Sequence, residues 1–94
     1  MNIFAELNDY RKTLSSDWGF YESYDEGSFY LINSTTDSRF MFEFHQRMMV
    51  ENGVLTPRFR AYVELIDAGS LEDEFLNKME LELSEIITKF NTNK

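Results

Sequence analysis

A chain of 94 residues with 17 Asp plus Glu against 9 Lys plus Arg carries a net charge of −8, and it holds one His and no Cys. That balance argues against a phosphate backbone or an anionic lipid surface as a direct partner and favours basic ones. It also excludes a disulfide framework, a thiolate nucleophile and a cysteine zinc site.

A chain of this size buries roughly 60–65% of its unfolded surface, so residues 1–94 are expected to form a single compact domain. The N-terminus shows no basic and then apolar leader, and no apolar run approaches the ~20 residues of a membrane span. Both point to a cytoplasmic protein without a membrane partner.

Ile3, Leu7, Tyr10 and Leu14 recur at four, three and four, with Phe4 beside them, which is one stripe of an amphipathic helix capped by Asn2 and ended by Ser15-Ser16-Asp17. Arg11 and Lys12 fall in its last turns, where cations suit the helix dipole. Residues 18–33 are dense in aromatics around Asp25-Glu26-Gly27. A three-residue loop there predicts strands at about 19–24 and 28–33, with Tyr21 opposite Leu31, Phe20 opposite Ile32, Glu22 opposite Tyr30, and exposed aromatic surface on one face. Residues 33–38 are all turn formers and are expected to make a mobile loop.

The centre of the chain is a long hairpin, residues 39–50 and 56–67, turned at Glu51-Asn52-Gly53-Val54. Asn-Gly is the preferred pair for a type I′ turn because both central residues need positive φ. If Glu51 faces Val54, then Phe44 faces Ala61, Phe42 faces Val63 and Phe40 faces Leu65, so one face is apolar pair after pair. Pro57 cannot donate to a ladder. The strand that holds it is therefore expected to be regular only beyond it, or to lie with its proline end at an edge. Ser70 reads as an N-cap with Asp73 three residues on, and Leu76, Met79, Leu83, Ile86 and Phe90 carry a helix to about Asn91. The expected fold is α+β in two layers: an N-terminal helix, a four-stranded antiparallel meander and a long C-terminal helix, both helices on the phenylalanine face.

Little in this pattern supports catalysis. His45 has Glu43 two residues away on the same face, but no nucleophile, glycine-rich phosphate loop or paired-ligand spacing accompanies it. Glu72-Asp73-Glu74 and Asp25-Glu26 lack the spaced ligands of a calcium loop, and the helix dipole accounts for acids in a first turn. The chain is therefore read as a non-enzyme with no metal and no cofactor. The hairpin register also gathers His45, Arg47, Arg58 and Arg60 into the one basic patch. Like charges placed opposite one another there call for carboxylates, Glu43 or Glu64, or for an outside anion or acidic surface.

Acidic charge is concentrated in two places. On the last helix a 100° step brings Asp73, Glu74, Glu80 and Glu85 around Leu81, a lone apolar residue on the solvent side. Glu74→Lys78 and Glu85→Lys89 fit an ordinary solvated face, and the framed leucine fits a docking surface. At the first hairpin Tyr21, Glu22, Tyr24, Asp25 and Glu26 set carboxylates beside phenol rings, the combination that a surface made for phosphates and stacked bases would accept.

In size, acidity, absence of Cys and these acid-aromatic segments, Tyr21 to Glu26 and Glu72 to Glu85, the chain resembles the small anti-CRISPR and anti-restriction inhibitors of phages and mobile elements. The resemblance implies a non-enzymatic inhibitor that occludes a basic nucleic-acid-binding surface of a nuclease or nucleoprotein effector, as a nucleic-acid mimic. Immunity proteins and antitoxins that neutralise one cognate toxin share the same character. A third expectation is a homodimeric module that pairs through the outer sheet face, with Met41, Met49, Tyr62 and Ile66.

Overall fold

A computed structural model describes residues 2–22 and 27–92. They form α1 (Ile3–Lys12), β1 (Trp18–Glu22), β2 (Ser28–Asn33), β3 (Arg39–Glu51), β4 (Val54–Asp67) and α2 (Asp73–Thr92), with the strands in the order β1-β2-β3-β4, all antiparallel. This is the expected α+β arrangement.

The long hairpin follows the register that its turn dictates. Asn52 and Gly53 take φ of 52° and 77°, and the pairing runs from Glu51↔Val54 through Phe44↔Ala61 to Phe40↔Leu65, with an irregularity at Arg39. Phe40 and Phe42 are fully buried. Burial of each contributes about 1.5–3 kcal/mol, and together with Leu31, Leu76 and Leu83 they form the centre of the core. Stacking of Phe29 on Phe42 and tilted contacts of Phe4 with Phe29 and Phe44 tie α1 to the same face.

α1 is capped by Asn2, whose Oδ1 accepts from the N–H groups of Phe4 and Ala5. α2 begins two residues later than a cap at Ser70 requires. The reason lies in the preceding turn, where the Ser70 N–H donates to Thr36 O at 2.9 Å and Gly69 takes φ 58°. A Cβ on Gly69 would stand 2.1 Å from Thr36 O, so only glycine lets the two loops touch there.

The polar stretch 33–38, expected to be mobile, is held by named bonds. Asn33 Oδ1 accepts from the N–H groups of Thr35 and Thr36, and the buried Ser38 hydroxyl donates to Ala68 O at 2.6 Å. A local Asx turn and one long-range clip thus satisfy polar groups that the sequence marked only as turn formers.

The first hairpin departs from expectation by one residue of register. Phe20 faces Leu31, Tyr21 faces Tyr30 and Glu22 faces Phe29. This register puts Trp18, Phe20, Leu31 and Phe29 all on the helix side, and the core outweighs the loop preference that set the expected pairing. Tyr21 and Tyr30 then share the outer face, where Tyr21 is exposed. The turn predicted at Asp25-Glu26 lies outside the described residues.

Backbone parity along the long hairpin shows how its edges are managed. Asn91, at the end of α2, bonds both the N–H and the C=O of Ala61, at 2.8 and 2.9 Å, so the backbone N–H and C=O groups of the odd residues of β4 point to its outer edge. Pro57 shares that parity, and its missing N–H falls on the outer edge, the second of the two expected placements. On β3 the backbone groups that face away from β4 belong to the even residues, as the bond from the Phe44 N–H to Gly27 O confirms. β2 covers β3 only as far as Glu43. Beyond Phe44, β3 and β4 project as a two-stranded arm that no helix covers, in a molecule 50 Å long and 25 by 20 Å across.

Candidate functional site

The solvent face of α2 is built by periodicity. Leu76, Met79, Leu83 and Ile87 are buried against β4 and α1, which turns Asp73, Glu74, Leu81 and Glu85 outward. Leu81 is 64% exposed, and Glu80 is half-buried at the margin. The ion pairs among the described residues are Arg39–Asp37 and Arg58–Glu51, and His45 lies within hydrogen-bond distance of Glu43. Neither the Glu74–Lys78 nor the Glu85–Lys89 pair closes, so these carboxylates stand unneutralised around the leucine.

Glu74 and Glu85 are eleven residues apart, about 16 Å of helix axis. Over that length duplex DNA presents on the order of nine phosphate charges, roughly twice what this face carries. The face is therefore a sparse acidic patch with an apolar centre, not a dense phosphate ladder.

The two halves of the expected acidic surface are not brought together. Tyr21 and Glu22 stand on β1, the strand at the far side of the sheet from β4, and they point to opposite faces of it. Tyr24, Asp25 and Glu26 lie outside the described residues.

An open cleft of about 550 Å³ lies where α1 meets the first hairpin, lined by Phe4, Phe20, Phe29 and Phe44 together with Asn8 and Glu22. Phe4 is 57% exposed there. Its walls suit an apolar side chain better than a reacting group, which would need several convergent polar atoms. Among the described residues, no cluster of three His, Asp or Glu stands close enough to hold a metal ion. No described helix is long and apolar enough to cross a membrane.

The basic patch is placed as expected on the outer face of the arm, and most of it is internally occupied. His45 Nε2 lies 2.9 Å from Glu43 Oε2 with its ring against Tyr62, and Arg60 sits over the Tyr62 ring at 5.8 Å. Arg58 makes a two-pronged contact with Glu51, through Nε at 2.7 Å and through Nη2. That contact holds the Glu51 carboxyl below its usual range and raises the guanidinium. Arg47, opposite Arg58, has no carboxylate partner among the described residues.

Elsewhere Tyr10, on the inner side of α1, has its phenol pushed up to about 12, by burial first and then by the charge of Glu82. Compared with known proteins, the chain matches no family model, no curated sequence and no solved structure.

The arm's helix-side face was not singled out from sequence. It carries Met48, Val50, Leu55 and Phe59, exposed by 57, 70, 65 and 47%. A signal existed, since a six-residue strand beside one of thirteen leaves half of the longer one uncovered.

Proposed function

We propose that the chain is a non-enzymatic binding protein that occludes a basic, nucleic-acid-binding surface of a protein partner through the solvent face of α2. The observation that supports this reading is the exposed Leu81 framed by Asp73, Glu74 and Glu85, none of them in an ion pair among the described residues. An apolar anchor inside a charged rim is the usual anatomy of a docking surface, and opposite charge on the partner speeds encounter.

The low charge density favours a partner whose basic surface already accommodates a protein-like apolar contact over one that only tracks phosphates. A nuclease or nucleoprotein effector is the class that combines the two. In this reading the first hairpin is not part of the contact, because the width of the sheet separates it from α2.

The test is capture of the partner from nuclease-treated host lysate with and without added DNA and RNA, repeated with Asp73, Glu74, Glu80 and Glu85 all changed to Lys. The expected result is a nuclease or guide complex that nucleic acid displaces and that the reversed variant does not capture. Unchanged capture by the reversed variant overturns the proposal. So does a partner indifferent to nucleic acid, which would move the function to toxin neutralisation.

A further inference from the structure

The two edges of the arm are treated differently by the sequence. On β4, Pro57 removes one outward N–H and Asn91 occupies both outward groups of Ala61. Devices of this kind keep an exposed strand from pairing with another chain. On β3, the outward N–H and C=O groups belong to Gln46, Met48 and Val50, and among the described residues nothing pairs with them. No proline, lysine or bulge interrupts this edge, and Met48 and Val50 are exposed.

From this asymmetry we infer that the open edge of β3 is a dimer interface, on which a second copy of this chain pairs antiparallel about a two-fold axis at Met49. Parity restricts the register. Residues bonded across the new seam must be even, so the two-fold falls at Met48, at Met49 or nearer the tip. Centring on Met48 drives the Asn52-Gly53 turn of each arm to Phe44 of the other, where Gly27 already holds the Phe44 N–H. Centring on Met49 brings the turn opposite Gln46 and clears Gly27.

The Met49 register also solves two problems that the single chain leaves open. It places Arg47, which lacks a carboxylate and faces Arg58 in its own hairpin, directly opposite Glu51 of the second copy, twice per dimer. Met48 meets Val50 of the second copy on the helix side, and the two Met49 side chains meet on the outer side. The Met48–Val50 pair and its two-fold equivalent exchange four backbone hydrogen bonds, which satisfies the outward groups of both residues.

Charge supports the same occupant. Arg47, Arg58 and Arg60 against Glu51 give the arm an excess of two positive charges, so the rest of a chain of net −8 carries −10. Arms side by side at the axis hold the acidic bodies at opposite ends, where screening over about 8 Å removes most of their repulsion. An isolated two-stranded ribbon is marginal in water, whereas four strands with a common apolar face are not. The interface is self-complementary, so association closes at two copies.

The experiment is analytical ultracentrifugation of the whole chain together with two variants. Met48→Pro deletes an outward N–H that β4 does not use, so the hairpin is retained while the seam is blocked. Met49→Cys places two thiols at the axis as a non-hydrogen-bonded pair with Cα atoms about 4.5 Å apart, within disulfide reach, in a chain that has no other Cys.

The expected outcome is a species of twice the chain mass for the native protein and the chain mass for Met48→Pro. Met49→Cys should cross-link in mild oxidant at least tenfold faster than Thr88→Cys on the far helix. A native protein that stays at chain mass up to millimolar concentration overturns the pairing and returns the edge to a strand of some other protein. A Met48→Pro variant that is folded and still of double mass overturns it as well. If Met48→Pro does not fold, the cross-linking rate decides, and equal rates for the two cysteine variants reject the interface.

Discussion

The body and the arm of this protein are built from the same two strands and differ in what covers them. From Phe40 to Phe44 the helix-side residues of β3 lie under α1 and α2, and Phe40 and Phe42 are fully buried. From Gln46 to Val50 the strand continues and keeps Met48 and Val50 on the same face, yet both are among the most exposed apolar residues described. The difference is one of helix length. α2 ends at Thr92, with Asn91 bonded to Ala61 opposite Phe44, so the roof stops there and the ribbon continues. Charge divides at the same place, acidic over the body and basic on the arm. Alternation specifies a face that suits burial; only a covering element converts it into stability.

Truncation on either side of that boundary gives the largest contrast. Phe42→Ala should cost about 3–5 kcal/mol in denaturant unfolding, because a closed core cannot collapse around the lost ring. Phe59→Ala, on the arm and 47% exposed, should cost under about 1 kcal/mol in the monomer. Equal losses would mean that the arm is packed as tightly as the body.

Asn91→Ala acts at the boundary itself. It strips both partners from the Ala61 backbone and should cost about 1–3 kcal/mol. Hydrogen exchange should rise first at Ala61 and at the end of α2; a change spread evenly over the sheet would contradict a local edge cap.

The body also has an alkaline limit that the arm lacks. The Tyr10 phenol is raised above its ordinary value to about 12, so its contribution is complete below pH 10 and is lost as pH rises toward 12. Because the side chain is only partly buried, solvent screening reduces this contribution to about 1 kcal/mol. Unfolding followed from pH 9 to 12 should show that loss in the native protein and a flatter profile in Tyr10→Phe.

The smallest effect belongs to the arm and has the opposite sign in pH. The Glu51 carboxyl is held below its usual range by Arg58, so the support it gives the hairpin tip is present above pH 4.5 and is lost as pH falls through the lowered value. Amide exchange at Val50 to Leu55 should quicken over that acid range while the core amides stay protected. Glu51→Gln should remove the pH dependence.

Much of this architecture was legible in the residues. The Asn-Gly turn and the alternation of Phe40, Phe42 and Phe44 are local signals that agree, and they defined the long hairpin and its register without tertiary information. The apolar spacing of Leu76, Met79 and Leu83 likewise assigned the faces of α2, and hence the exposed acids around Leu81. Where local and global preferences conflicted, the sequence could not arbitrate. A three-residue loop at Asp25-Glu26-Gly27 is good turn chemistry, but it would have mixed Tyr21 with Leu31, and burial of Trp18, Phe20 and Phe29 on one side chose the other register.

Composition and periodicity alone determined the class of the fold, the register of β3 with β4 and the acidic face of α2, since each depends on residues near one another in the chain. Only the tertiary structure decided that the first hairpin and α2 lie at opposite sides of the sheet, that Ser70 serves a turn clipped to Thr36 and not a helix cap, and that half of the long hairpin stands uncovered with one guarded edge and one open one. Each of those depends on where an element stops relative to a neighbour distant in sequence, and no local preference records that distance.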